Sequence, residues 1–69
     1  MALSTLIKKI ESSKFKNFLN DGDIVFGIIE GDLLELMACA NHDGSIDFVS
    51  FDTKKAYKLL PFVYRISLQ

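Results

Sequence analysis

Residues 23–51 read DIVFGIIEGDLLELMACANHDGSIDFVSF, and the fold turns on how this stretch is divided. DIVFGII is a β-branched and aromatic run of strand length, and Glu30-Gly31-Asp32 is a tight reversal. LLELMACA follows as a second strand, Asn41-His42-Asp43-Gly44 as a hairpin turn and SIDFVSF as a third strand. Three runs joined by two short turns predict an antiparallel meander. Both sides of its first hairpin are apolar: Ile24, Phe26 and Ile28 oppose Val25 and Ile29, while Leu34, Leu36 and Ala38 oppose Leu33, Met37 and Cys39. A single layer of helix covers one face of a sheet. The other face has to curl into a barrel, meet a second helix or bury itself against another molecule. The last is the expectation, with Val25, Ile29, Leu33 and Met37 as the residues of self-association or partner contact.

Upstream, Leu3, Leu6, Ile7 and Ile10 follow the three-four spacing of a helix face, with Ser4 as its cap. Phe15, Phe18 and Leu19 repeat that spacing beyond Ser12-Ser13, so residues 3–19 read as one helix with a wide apolar face or as two helices. Downstream, Asp52 or Thr53 caps a short helix, TKKAYKLL, which Pro61 stops. FVYRISLQ then alternates, with Phe62, Tyr64, Ile66 and Leu68 on one side. The predicted fold is therefore α+β: one domain over residues 1–69, an N-terminal helix packed on a four-stranded antiparallel sheet, and a short helix before the final strand. A small β-barrel with an N-terminal helix is the runner-up. The expected core is Leu6, Ile7, Ile10, Phe18, Phe26, Ile28, Leu36, Phe48, Tyr64 and Ile66.

With 69 residues the chain has room for one core. A domain of this size buries only about 60% of the surface its unfolded chain exposes. Cys39 is the only cysteine, so no internal disulfide forms, and with His42 as the only histidine no thiolate and imidazole zinc site can be assembled. An apolar content of 49% is high for so small an interior, which points to a partner chain or a homo-oligomer. Lys8 and Lys9 interrupt the N-terminal apolar residues too early for a membrane span or a secretory signal. The free thiol agrees with a reducing compartment, so a cytoplasmic location is expected.

Charge is segregated along the chain. Every basic residue lies between Lys8 and Lys16 or between Lys54 and Arg65, and no Lys or Arg separates Asn17 from Thr53. Internal pairing and ordinary solvation account for that pattern first. The functional alternative is nucleic-acid binding by Lys8, Lys9, Lys14, Lys16, Lys54, Lys55 and Lys58 from two basic helices. Against it stand a net charge of −1 and a single arginine, Arg65. FVSFDTKKAYKLL, residues 48–60, resembles the strand-to-helix junction of three-stranded DNA-binding domains of the integrase arm-binding type. The likeness covers thirteen residues; Pro61 and a fourth strand depart from the pattern, and no family is assigned from it.

Catalytic patterns are missing. The loop Asn41–Asp47 has a glycine and an isoleucine where a calcium loop would, but Cys39 and Ser50 stand where its end ligands belong. Cys39 and His42 are three apart, with the thiol in an apolar strand and the imidazole at a turn. There is no phosphate loop, nucleophile elbow or dinucleotide fingerprint. The expectation is a non-enzymatic protein-interaction or regulatory accessory module of a microbe or virus, without cofactor, metal or catalytic residues, that docks onto a partner protein.

Overall fold

A computed structural model describes residues 5–68 and shows an open six-stranded antiparallel sheet crossed on one face by a short helical segment. The strands are β1 (Thr5–Glu11), β2 (Ile24–Ile29), β3 (Asp32–Ala40), β4 (Ile46–Ser50), β5 (Ala56–Tyr57) and β6 (Phe62–Leu68). Their order across the sheet is β1-β6-β2-β3-β4-β5. The helical segment is a 3-10 turn, Ser12–Lys14, running into α1, Phe15–Phe18.

This corrects the expected architecture. In place of an N-terminal helix on four strands there are six strands, and the sheet stays open instead of closing into a barrel. The first apolar stretch is β1, which pairs along its whole length with β6, from Thr5↔Leu68 to Glu11↔Phe62. Spacing of apolar residues could not separate the two states here, because the lysines between them have apolar stems. In the strand, Lys8 and Lys9 point to opposite faces and each covers an aromatic ring: Lys8 Nζ lies 4.1 Å from the centre of Phe18, and Lys9 Nζ 4.3 Å from that of Phe62. Pairing with β6 thus satisfies a ladder of backbone groups while both lysines keep their ammonium groups wet. Among the described residues helix survives only over residues 12–18. Leu3 and Ser4, expected to open that helix, lie outside the described residues, as does the side chain of Leu6.

The helix expected over residues 53–60 is also absent. Lys54 stands at φ 62, a left-handed conformation that ends any right-handed helix at its first turn. Its N–H donates to the Ser50 carbonyl at 3.0 Å, and the Ser50 N–H donates to the Lys55 carbonyl at 3.0 Å, so the chain reverses into β5. The likeness to a strand-to-helix junction therefore has no helix to rest on. Residues 58–61 then cross the sheet from β5 at one edge to β6 near the other.

The two turns of the meander are built as their residues require. Glu30 at φ 52 and Gly31 at φ 85 form a two-residue hairpin loop with both central residues in the left-handed region, as strand twist demands. At the β3–β4 turn the Asn41 N–H donates to the Ser45 carbonyl at 2.8 Å, and Asp43 Oδ1 accepts from the Ser45 N–H at 2.9 Å and its hydroxyl at 2.6 Å. Asp43 is held below the usual carboxylate range, chiefly by the Ser45 hydroxyl, then by the Ser45 N–H.

The core lies on one face only. Ile10, Val25, Leu36, Ala38, Phe48 and Val63 project from the sheet, and Phe15 and Leu19 close over them from the helical segment, with Leu60 of the crossover packed at the side. Register explains the set: Ile10 is opposite Val63, Val25 opposite Leu36, and Ala38 opposite Phe48. Three residues of the expected core, Ile10, Leu36 and Phe48, are in it. Ile7, Phe18, Ile28 and Ile66 are exposed, and Phe26 and Tyr64 are half-buried.

Candidate binding face

The opposite face of the sheet has no covering layer among the described residues. A strand alternates its side chains, so each residue that flanks a core position along β1, β6, β2 and β3 stands on this second side. Register brings these residues together across the sheet. Ile7 is opposite Ile66, Lys9 opposite Tyr64, Tyr64 opposite Phe26, Phe26 opposite Glu35, and Ile28 opposite Leu33.

The result is a broad apolar surface. Ile7 is 61% exposed, Ile28 50%, Leu33 64% and Ile66 46%, which are high values for branched aliphatic residues on four adjacent strands. Between them runs a shallow groove of about 250 Å³, lined by Ile7, Phe26, Leu33, Tyr64 and Ile66, with no charged residue in its wall. Phe62 and Tyr64 meet edge to face at 5.4 Å beside it, and Lys9 extends over Phe62. Along β3 and onto β4 the surface continues over Met37, Cys39 and Val49. The Cys39 thiol lies 3.8 Å from the Met37 carbonyl, a weak contact within its own strand.

Of the four residues expected to mediate association, Leu33 and Met37 are on this open face. Val25 and Ile29 are not: Val25 is fully buried in the core and Ile29 packs against it from the same side. Two signals in the sequence distinguish the faces. Glu35 shares its parity with Leu33 and Met37, so that row is the wet one. Gly27 shares its parity with Val25 and Ile29, and an added methyl there would meet Leu36 Cδ1 at 2.9 Å and Leu60 Cδ1 at 3.6 Å. A glycine in a strand marks where another layer comes close. Ile7, Phe26, Ile28 and Ile66, which line the open face, were hidden by their assignment to the core.

The seven lysines do not gather on one surface. Lys8 lies on the covered face against Phe18 and Lys9 on the open face. Lys14 and Lys16 are on the helical segment, Lys54 and Lys55 in the β4–β5 turn. Lys55 sits 5.6 Å from the Tyr57 ring and Lys58 Nζ 3.6 Å from Asp47 Oδ2. Of the two basic helices that would have aligned them, the first is reduced to residues 12–18 and the second is replaced by turn and strand. A second groove of about 420 Å³, between the helical segment, the β3–β4 turn and the crossover, holds Lys16 and Lys58, and Lys58 is already paired with Asp47.

The acidic turn before β2 is committed to the backbone. Asp21 Oδ1 accepts from the Ala40 N–H at 2.8 Å, and Asp23 Oδ2 accepts from the Asn20 N–H at 2.8 Å and lies 3.9 Å from Arg65 Nη1. No group of three or more His, Cys, Asp or Glu able to hold a metal ion occurs among the described residues. None of their helices is long and apolar enough to cross a membrane. The chain matches no family model, no curated protein and no solved structure.

Proposed function

We propose that this protein is a non-enzymatic interaction module and that the open face of β1, β6, β2 and β3 is its working surface, by which it docks onto a protein partner. The observation that carries this reading is the uncovered set of Ile7, Ile28, Leu33 and Ile66 around an apolar groove. Leaving such side chains in water forgoes about 1.5–3 kcal/mol for each one that a partner could bury. A small domain with little interior gains from that burial in proportion.

The test is site-specific photo-crosslinking in cells that make the protein. A benzoylphenylalanine replaces Leu33 on the open face or Leu59, which is 96% exposed on the crossover at the other side. The reading expects protein adducts from position 33 and few from position 59. Equal yields from the two, or none from position 33, would overturn it.

A further inference from the structure

We infer that the occupant of the open face is a second copy of this chain, held sheet to sheet about a two-fold axis that runs along the strands beneath the gap between β6 and β2. This rests on the docking reading above and names its partner. The argument begins with one row of residues. Lys9 pairs with Tyr64, Tyr64 with Phe26, and Phe26 with Glu35, so a single line across four strands reads cation, aromatic, aromatic, anion.

Within one chain the two charges are useless to each other. Three strand spacings separate them, about 14 Å. A two-fold axis lying between facing sheets and along their strands reverses the order of the strands in the facing copy. Centred between β6 and β2, it sets Lys9 of one copy against Glu35 of the other, twice, and Tyr64 against Phe26. Facing sheets stand about 10 Å apart with their strands inclined by about 30°. A lysine and a glutamate reaching from the two sides span that gap. The isologous contact is self-complementary, so it closes at two copies.

The same operation keeps like charges apart. Glu35 leaves its own copy and meets a lysine, and Glu11, at the sheet edge opposite Phe62, falls outside the central row. β4 and β5 overhang the four-strand block, which leaves Asp47 beside its own Lys58. The open face spans four strands and holds Ile7, Ile28, Leu33 and Ile66, all exposed. A standard interface takes about 800 Å² from each partner.

The experiment is a charge swap read by sedimentation or light scattering over a dilution series. The wild-type chain is expected at twice its 7.8 kDa mass at micromolar concentration. K9E and E35K, both at exposed positions, are each expected to weaken association by about tenfold or more, and the double variant to restore it to within about threefold. Circular dichroism of each variant confirms the sheet. A monomer at every concentration overturns the inference, and so does a dimer that is indifferent to the swap. Crosslinking at position 33 separates this from the docking reading: adducts to a different protein from a monomeric chain refute the second copy and leave the docking surface, whereas no adducts and no dimer refute both.

Discussion

The ring of Phe15 meets the ring of Phe48 edge to face, centroids 5.1 Å apart and planes at 77°. Phe48 is fully buried in the middle of β4, and Phe15 is the one buried side chain of α1. This contact fastens the helical segment to the sheet. Truncation of either ring to alanine is expected to cost about 3–5 kcal/mol, and a double-mutant cycle to show about 0.5–1.5 kcal/mol of coupling. Urea unfolding of the two single variants and the double variant measures both. A loss below about 1 kcal/mol for Phe15→Ala would mean that the segment does not close the core.

Gly27→Ala tests how closely the Leu36 side chain packs over the backbone of β2. The new methyl would stand 2.9 Å from Leu36 Cδ1, the end of a fully buried side chain. A loss of about 1–3 kcal/mol is expected from such overpacking. Shortening the neighbour as well, in Gly27→Ala with Leu36→Val, should recover part of it. Thermal unfolding of the three variants is the check, and stabilisation by Gly27→Ala alone would contradict the packing.

The β2–β3 turn holds a residue that strains its own backbone. Glu30 adopts φ 52 ahead of Gly31, where asparagine is the better tolerated side chain. Glu30→Asn is expected to raise stability by about 0.5–1 kcal/mol, and Glu30→Val to lower it by at least as much. Denaturant midpoints of the two variants should fall on opposite sides of the wild type.

Asp43 supplies a pH dependence whose sign follows from its surroundings. Its folded form is held below the ordinary carboxylate value by the Ser45 hydroxyl and N–H. That contribution is complete above the ordinary value and is lost as pH falls through the lower, folded one. Asp43→Asn cannot titrate. The stability advantage of the wild type over Asp43→Asn should therefore hold at neutral pH and shrink towards about pH 2. Parallel urea titrations at the two extremes decide it, and a gap that widens in acid would contradict the hydrogen bonding.

Much of the sheet is legible in the sequence, and the reason is local. β2, β3 and β4 occupy the three runs between Asp23 and Phe51, and β6 occupies the alternating run after Pro61, because short turns and β-branched residues mark them without reference to the rest of the chain. The first stretch is different. Leu6, Ile7 and Ile10 suit a helix face, and only the free side of β6, more than fifty residues away, makes a strand of them. Propensity yields to tertiary pairing there. The segment after Ser50 misleads for another reason: Thr53 does act as a hydrogen-bonding turn residue, its hydroxyl accepting from the Lys55 N–H at 3.3 Å, but it closes a reversal and no helix follows. At the candidate face the parity of each strand could be read, and Leu33 and Met37 were placed by it. Which parity faced the core depended on Gly27 and on a crossover that no local pattern announces.

The position of β6 between β1 and β2 also orders events during synthesis. Of the described strands β1 is made first, yet its one neighbour among them is β6, the last of the six. At about 5–20 residues per second, Ile7 and Ile10 wait for several seconds with no ladder to join. Meanwhile the meander of β2, β3 and β4 can form from contacts near in sequence, which are the quickest to close. A chain whose meander had formed before β6 docked would offer the edge of β2 to solvent beside an unpaired apolar β1. Any chaperone that shelters this protein would be needed in that interval, which ends when β6 pairs with β1 and β2.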